Sequence, residues 1–154
     1  MRASQKVIDT LNQLIGGELA ARDQYFVHAL MYKDWGYTKL YEANHHESEH
    51  ETQHATAMIE RVLTLGGTPN MQVHALNVGH DVESMIKNDL QLEYNVQDAL
   101  KKAIKVCEEE MDYVTRDLLL VQLKDTEEDH AHWLEQLVRQ IQDLGLQNFL
   151  QSQM

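Results

Sequence analysis

Two Glu-x-x-His pairs on separate segments of the chain have the clearest capacity for chemistry. The first pair is Glu51 with His54, and the second is Glu127 with His130. Residues three apart on an α-helix lie on one face, so each pair can present a carboxylate and an imidazole to the same point. One such pair in a chain rich in glutamate and histidine is weak evidence for a metal ligand set. The neighbouring residues on the same helix face indicate whether a pair points into the core or into solvent.

Helical wheels, drawn at about 100° per residue, indicate that both pairs face the core. The stripe around the first pair consists of Leu40, Asn44, Glu47, Glu51, His54, Met58, Val62 and Leu65. The stripe around the second pair consists of Arg116, Leu120, Leu123, Glu127, His130, Leu134, Val138 and Ile141. Glu47 and His50 have the same spacing, but His50 lies about 80° from the stripe centre, which excludes this pair from the predicted primary site.

Two further helical segments each place one glutamate near mid-height. Glu18 shares a stripe with Val7, Leu11, Leu14, Arg22, Tyr25 and Ala29. Glu93 shares a stripe with Val82, Ile86, Asp89, Leu100, Ile104 and Cys107. Four buried carboxylates are very costly unless positive charge lies between them, which a pair of metal ions would supply.

The ligand types favour iron or manganese over structural zinc. Carboxylate oxygens and imidazole nitrogens suit iron, whereas a structural zinc site usually recruits thiolates, and Cys107 is the single cysteine. One glutamate from each of two helices with Glu-x-x-His from each of two others is the ligand pattern of di-iron carboxylate proteins. The sequence therefore predicts a di-iron centre.

Four long helices and one short helix would position these residues. The predicted helices span residues 4–34, 38–65, 81–111, 113–144 and 146–153. The turns after the first and third helices are short, so each joins antiparallel neighbours. Residues 66–80, extended at about 3.3 Å per residue, can span a helix about 42 Å long, so the second and third helices can be parallel. The predicted fold class is all-α: a ferritin-like four-helix bundle with one long crossover and a short fifth helix.

Length and charge limit the classes of function. The 154 residues fit one domain, 1–154, and 25 acidic against 13 basic residues give a net charge of -12. This charge disfavours nucleic acid and anionic membrane surfaces and favours cations as partners. No segment approaches the roughly 20 apolar residues that cross a bilayer, and the N-terminus does not read as a signal peptide, so we expect a cytoplasmic protein.

Seven short motifs are distributed along the whole chain. They are Gly17-Glu18-Leu19-Ala20, Asp23-Gln24-Tyr25, Asp34-Trp35-Gly36, Glu51-Thr52-Gln53-His54-Ala55, Asp112-Tyr113-Val114, Glu127-Glu128-Asp129-His130 and Leu146-Gln147-Asn148-Phe149-Leu150-Gln151. Together they resemble the bacterioferritin-type bacterial ferritins. The resemblance implies a homo-oligomeric hollow cage of 24 subunits that oxidises Fe(II) with dioxygen or hydrogen peroxide and stores the ferric mineral. A ferredoxin-type reductant would serve iron release.

The resemblance also assigns roles to the six residues. The bridging ligands would be Glu51 and Glu127, one iron would be completed by Glu18 and His54, and the other by Glu93 and His130. Tyr25 could hydrogen-bond a ligand carboxylate or act as a redox neighbour, or it could be a buried tyrosine with its hydroxyl satisfied.

The resemblance leads to two further expectations, one about a group of three polar residues and one about haem. His46, Glu47 and His50 would face the cage interior, where they could pass iron or seed mineral; the alternative is a solvated polar face. In haem-bearing relatives a methionine follows the second-helix ligand glutamate, whereas this chain has Thr52. We therefore predict no haem in a cage of this chain alone, with a mixed cage containing a haem-binding bacterioferritin subunit as the alternative.

Other functions on a similar bundle remain open. One is a different di-iron carboxylate oxidoreductase, such as a peroxidase or an oxygenase, and another is a mini-ferritin that shields DNA. An oxygenase needs a substrate pocket, whereas bulky leucine and isoleucine surround the ligands, and a DNA binder needs a basic tail. The short fifth helix favours the large cage.

Overall fold

Helices account for nearly all of the chain described by the computed structural model, which covers residues 3–154. They are α1 Gln5–Asp34, α2 Thr38–Thr64, α3 Val82–Glu109, α4 Tyr113–Asp125, a π-helical turn Thr126–Ala131, α5 His132–Leu144 and α6 Leu146–Ser152. The predicted all-α class is confirmed, and residues 3–154 contain no β-strand. Met1 and Arg2, which the predicted domain includes, lie outside the described residues.

Side-chain caps fix where three helices begin. The Ser4 hydroxyl accepts a hydrogen bond from the backbone N–H of Val7 at the start of α1. At α3, Asp81 accepts from the backbone N–H of Ser84 at 2.8 Å, and the Ser84 hydroxyl accepts from the backbone N–H of Asp81 at 3.1 Å. Asp112 caps α4. These bonds satisfy backbone donors that would otherwise have no partner at a helix start.

The connections determine the topology. Only Trp35, Gly36 and Tyr37 separate α1 from α2, and Gly36 has a φ of +84°, a left-handed conformation that glycine adopts without strain. A similarly short turn joins α3 to α4, so both pairs are antiparallel. The long segment between α2 and α3 carries no helix and allows them to run parallel. This is the predicted crossover connectivity.

A buried polar network attaches the crossover to the bundle. Gln24 donates to Asp89 at 2.8 Å and accepts from the backbone N–H of Asn77 at 3.0 Å. His28 Nε2 accepts from the backbone N–H of Gly79 at 3.0 Å, so its Nδ1–H faces the Asp89 carboxylate, 3.0 Å away. Burial raises the pKa of Asp89 above its usual value. Together these contacts fix the end of the crossover over α1 and α3.

Two separate apolar clusters occupy the two ends of the bundle. One is built from Val7, Ile8, Leu11, Leu14, Ile15, Met58, Val62, Leu65, Val96, Leu100, Ala103, Cys107 and Leu119. The other is built from Tyr32, Leu40, Val82, Met85, Ile86, Leu134, Leu137, Ile141 and Phe149. The polar residues predicted as ligands lie between these clusters in every long helix. Phe149 closes the second cluster, which places α6 against the end of the bundle.

The predicted helix 113–144 contains a π-helical turn that its apolar periodicity does not indicate. It spans Thr126–Ala131 and includes both Glu127 and His130. Hydrogen bonds in a π-helix close over five residues instead of four, so the rotation per residue is smaller than in an α-helix. The wheel therefore placed these two residues too close together around the helix axis. None of the helices in the described part of the chain is long and apolar enough to cross a membrane.

Candidate metal centre

Four helices bring five of the predicted ligands together as two overlapping groups. The groups are Glu18, Glu51 and His54, and Glu51, Glu93 and His130. In each group the three ligand atoms lie within 4.8 Å of one another, and all three residues are buried. Glu51 belongs to both groups, so one carboxylate lies between two positions for a metal ion.

The ligand atoms of the first group are more widely spaced than those of the second. His54 Nδ1 is 3.7 Å from Glu18 Oε2 and 3.7 Å from Glu51 Oε2. On the other side of the ring, His54 Nε2 is 3.2 Å from Asp125 Oδ2. Thus Nδ1 is the nitrogen directed at the buried carboxylates.

The second group is more closely packed. His130 Nδ1 is 2.9 Å from Glu51 Oε1 and 3.5 Å from Glu93 Oε1. Its other nitrogen, Nε2, is 2.9 Å from Glu47 Oε2. The hydroxyl of the buried Tyr25 donates to Glu93 Oε1 at 2.5 Å, which orients that carboxylate.

Proton affinities in the cluster are strongly perturbed. Burial and the neighbouring charge of Glu51 raise the pKa of Glu18 well above its usual value. Burial also opposes the charge on Glu51, yet the adjacent Glu18 carboxyl and the imidazoles of His130 and His54 outweigh it and lower the pKa of Glu51. Burial opposes the charge on His54, but Glu18 and Glu51 outweigh it and raise the His54 pKa to about 10. The carboxylates around His130 likewise outweigh burial and raise its pKa far above the usual range.

Unsatisfied polar atoms show that the donor set fits iron. Both carboxylate oxygens of Glu18, one oxygen each of Glu51 and Glu93, and Nδ1 of His54 are buried and have no hydrogen-bond partner among the described residues. Buried polar atoms without partners are costly and uncommon in native structures. Oxygen and imidazole donors converging on one space are the ligands that iron accepts. Iron ions bound there would satisfy these atoms.

Comparison with known proteins identifies the family. A family model described as a ferritin-like domain matches residues 8–144. The chain belongs to the ferritin family. It is 60% identical over 154 residues, covering 100% of both chains, to a protein named bacterial ferritin from Neisseria meningitidis serogroup B. A bacterial ferritin of Pseudomonas aeruginosa is 54% identical over 153 residues, covering 99% of both chains.

A more distant relative broadens the comparison. A protein named bacterioferritin from Mycolicibacterium paratuberculosis is 37% identical over 148 residues, or 96% of this chain and 92% of that protein. The resemblance stated from the motifs is therefore confirmed. As a member of the ferritin family, the chain is an iron-storage protein that takes iron as its substrate and assembles into a multimeric cage.

The sixth predicted ligand of this ferritin, Glu127, is not brought into the cluster. Its side chain is 45% exposed, and Oε1 lies 3.7 Å from Lys101 Nζ on α3. The physical reason is the π-helical turn, which keeps His130 inside and rotates Glu127 away from it around the axis.

The histidine-rich segment of this ferritin forms a third group of potential ligands. His46, Glu47 and His50 have ligand atoms within 4.8 Å of one another, and the rings of His46 and His50 are 4.1 Å apart. His50 also stacks on His130 at 5.7 Å. Glu47 is buried, as its place on the inner stripe of α2 predicts, and its Oε2 contacts His130 Nε2.

Some residues around the site carried no readable sequence signal. Asp125, which contacts His54, lies one residue before the π-helical turn, so no α-helical spacing relates it to Glu127 or His130.

A cavity of about 780 Å³ lies between α1 and α3 beneath the crossover, lined by Gly17, Asn95 and His74 among others, and it reaches Glu18.

Proposed function

We propose that this chain oxidises Fe(II) to Fe(III) at an intrasubunit centre that holds two iron ions. Glu51 carries the argument, because its two oxygens face different imidazoles: Oε2 faces His54 and Oε1 faces His130. A carboxylate shared in this way can bridge two metal ions. Two ions in one site can together deliver two electrons to one molecule of dioxygen or hydrogen peroxide.

Each side chain then has a defined part in the reaction. Glu18 and His54 bind one iron, Glu93 and His130 bind the other, and Glu51 bridges them. Both imidazoles give up a proton from Nδ1 as iron binds, because protonated nitrogen cannot be a ligand. Tyr25 holds the Glu93 carboxylate in place.

Glu127 completes the centre in this proposal by leaving Lys101 and becoming the second bridge. An exposed ion pair with atoms 3.7 Å apart contributes little stability, so breaking it costs little. The charge of the bound iron supplies the attraction.

The wider proposal concerns assembly and location. We propose a cage of 24 identical subunits in the cytoplasm, where reducing conditions suit the single buried Cys107. Haem is not part of it, since the Thr52 hydroxyl donates to the backbone of Ser48 at 3.1 Å and is a poor axial ligand for haem iron. A mixed cage with a haem-binding subunit, and a ferredoxin-type reductant for release, are the extensions to be tested in cells.

A secondary role in iron transfer is proposed for His46, Glu47 and His50. Glu47 favours it, because this one carboxylate belongs to the outer group and also contacts His130 of the inner group. Iron could therefore pass between the groups without leaving protein ligands.

One experiment tests the main proposal. The purified chain is sized in solution, loaded aerobically with Fe(II), and followed by ferric absorbance, beside a double variant Glu51→Ala, Glu127→Ala. The control is Glu49→Ala, Glu128→Ala, which removes the same charge from exposed positions on the same helices. We expect rapid oxidation in the parent and the control and a large loss in the double variant. Equal rates in all three would reject the proposed centre.

The same samples separate the alternatives. A large cage that accumulates many iron ions per chain supports storage, whereas a small assembly indicates a mini-ferritin. Oxidation that stops at two iron ions per chain indicates a different di-iron oxidoreductase. A Soret band in the purified chain would contradict the absence of haem.

A further inference from the structure

Asp125 is an acidic side chain at the edge of the cluster to which the proposed function assigns no role. It ends α4, and its side chain is 41% exposed. Its Oδ2 lies 3.2 Å from Nε2 of His54, which is on α2 and 71 residues away in sequence. A carboxylate at the end of α4 thus contacts an imidazole on α2.

This contact selects one tautomer of His54. A carboxylate oxygen accepts hydrogen bonds, so Nε2 must carry the proton that it donates to Asp125. The neutral ring then has its lone pair on Nδ1, the nitrogen that faces Glu18 and Glu51 at 3.7 Å. Since the hydrogen bond also limits rotation of the ring, it directs the correct nitrogen to the first metal position.

In the other half of the centre a carboxylate also contacts Nε2 of the histidine. There α2 supplies the carboxylate and the π-helical turn supplies the histidine. Glu47 of α2 lies 2.9 Å from Nε2 of His130, and Nδ1 of His130 faces Glu51. In both halves, therefore, Nε2 contacts a carboxylate from the opposite helix and Nδ1 faces the shared glutamate. This repetition at two sites argues that the contact with Asp125 belongs to the construction of the centre.

We propose that Asp125 is a positioning residue that fixes the ring and the tautomer of His54, so that Nδ1 binds iron together with Glu18 and Glu51. The proposal rests on the proposed function, since it refines the same centre. Asp125 does not bind iron itself; it acts through His54. Carboxylates that hold a ligating histidine in this way typically raise metal affinity by about 10- to 100-fold.

The test is an anaerobic titration of the assembled full-length protein with Co(II), read from its visible absorption, with Asp125→Ala and Asp125→Asn beside the parent. We expect Asp125→Ala to weaken one of two Co(II) sites about 10-fold or more and to leave the other unchanged. Asp125→Asn should recover most of the affinity, because its amide oxygen still accepts from Nε2–H. The control, Asp117→Ala, removes the same charge from an exposed position on α4 and should match the parent.

Each outcome decides a different question. Equal affinities in the parent and Asp125→Ala overturn the positioning role, and so does an Asp125→Asn variant as weak as Asp125→Ala, since charge alone would then explain the effect. If Asp125→Ala does not assemble, Asp125→Leu, which has a similar size and no acceptor, takes its place. A parent that binds fewer than two Co(II) ions per chain overturns the proposed centre itself.

Discussion

The two halves of the centre differ in how closely their side chains are already packed. Around His54, the nitrogen facing the carboxylates is 3.7 Å from the nearest oxygen of Glu18 and of Glu51. Around His130, both ring nitrogens are within 2.9 Å of a carboxylate oxygen, on Glu51 and on Glu47. The ligand atoms of the first half are thus more widely spaced than those of the second, where both ring nitrogens of the histidine are in close contact with carboxylate oxygens.

This difference indicates an order of filling. The His54 half needs less rearrangement, because Glu18, Glu51 and His54 already surround one space. The His130 half must first separate ring nitrogens and carboxylate oxygens that are already in close contact, whereas Glu127, as the second bridge of our proposal, serves both halves. We therefore expect the first ion to occupy the His54 half.

Truncation of the shared ligand should have the largest effect. Glu51→Ala removes a ligand from both halves, so we expect both Co(II) sites to weaken and Fe(II) oxidation to fall on the order of 100-fold or more. Anaerobic Co(II) titration and ferric absorbance measure the two effects. Glu60→Ala, an exposed glutamate of the same helix, is the control. Retention of one site at full affinity would show that Glu51 is not shared.

Truncation of a ligand in one half should separate the two halves. Glu18→Ala should weaken the first Co(II) site by about 10- to 100-fold and leave the second intact. Glu93→Ala should do the reverse, with the first ion bound as in the parent. The titration curves, fitted to two sites, provide the measurement. Equal losses at both sites in either variant would contradict the assignment of the ligands to two halves.

The helix positions and five clustered ligands followed from periodicity, because apolar stripes and caps are local properties of the chain. Glu51 and His54 lie on a regular α-helix, so their shared face was predictable. The π-helical turn breaks the regular period, which is why the wheel gave no account of the exposed Glu127 or of the contact of Asp125 with His54. The position of Glu47 against His130 depends on how two helices pack, which no single wheel contains.

The acid–base properties of the cluster predict a moderate effect of pH on stability. A folded-state pKa of about 10 for His54, above the usual 6.5, adds stability that is complete below pH 6.5 and is lost as pH rises toward 10. The raised pKa of Glu18 acts in the same direction. We expect the Tm of the metal-free protein to fall by about 4 °C or more between pH 6.5 and 9.5.

A variant and a metal ion test this interpretation. Thermal melts of His54→Gln should show a smaller dependence on pH than those of the parent, whereas His80→Gln, at an 87% exposed side chain, should match the parent. Co(II) should remove much of the dependence, because the metal replaces the proton. A Tm that rises over this range would contradict the perturbed imidazole.

The smallest expected effect concerns Lys101. Lys101→Ala frees Glu127 from its ion pair, so the centre should bind Co(II) more tightly, by less than about five-fold because the pair is exposed. Lys105→Ala removes the same charge one turn further along α3 and should have no comparable effect. Weaker binding in Lys101→Ala would show that Lys101 does not compete with the metal for Glu127.

The separation of the apolar residues into two clusters has a consequence for protein engineering. Because the polar layer lies between them, each end of the bundle can be repacked without replacing a ligand. The end containing Cys107 and Leu119 could be redesigned for heat resistance, while the end containing Phe149 is redesigned to alter how α6 docks. The metal ligands and the apolar residues that stabilise the bundle thus lie in different parts of the same helices. Substitutions in one part need not change the other.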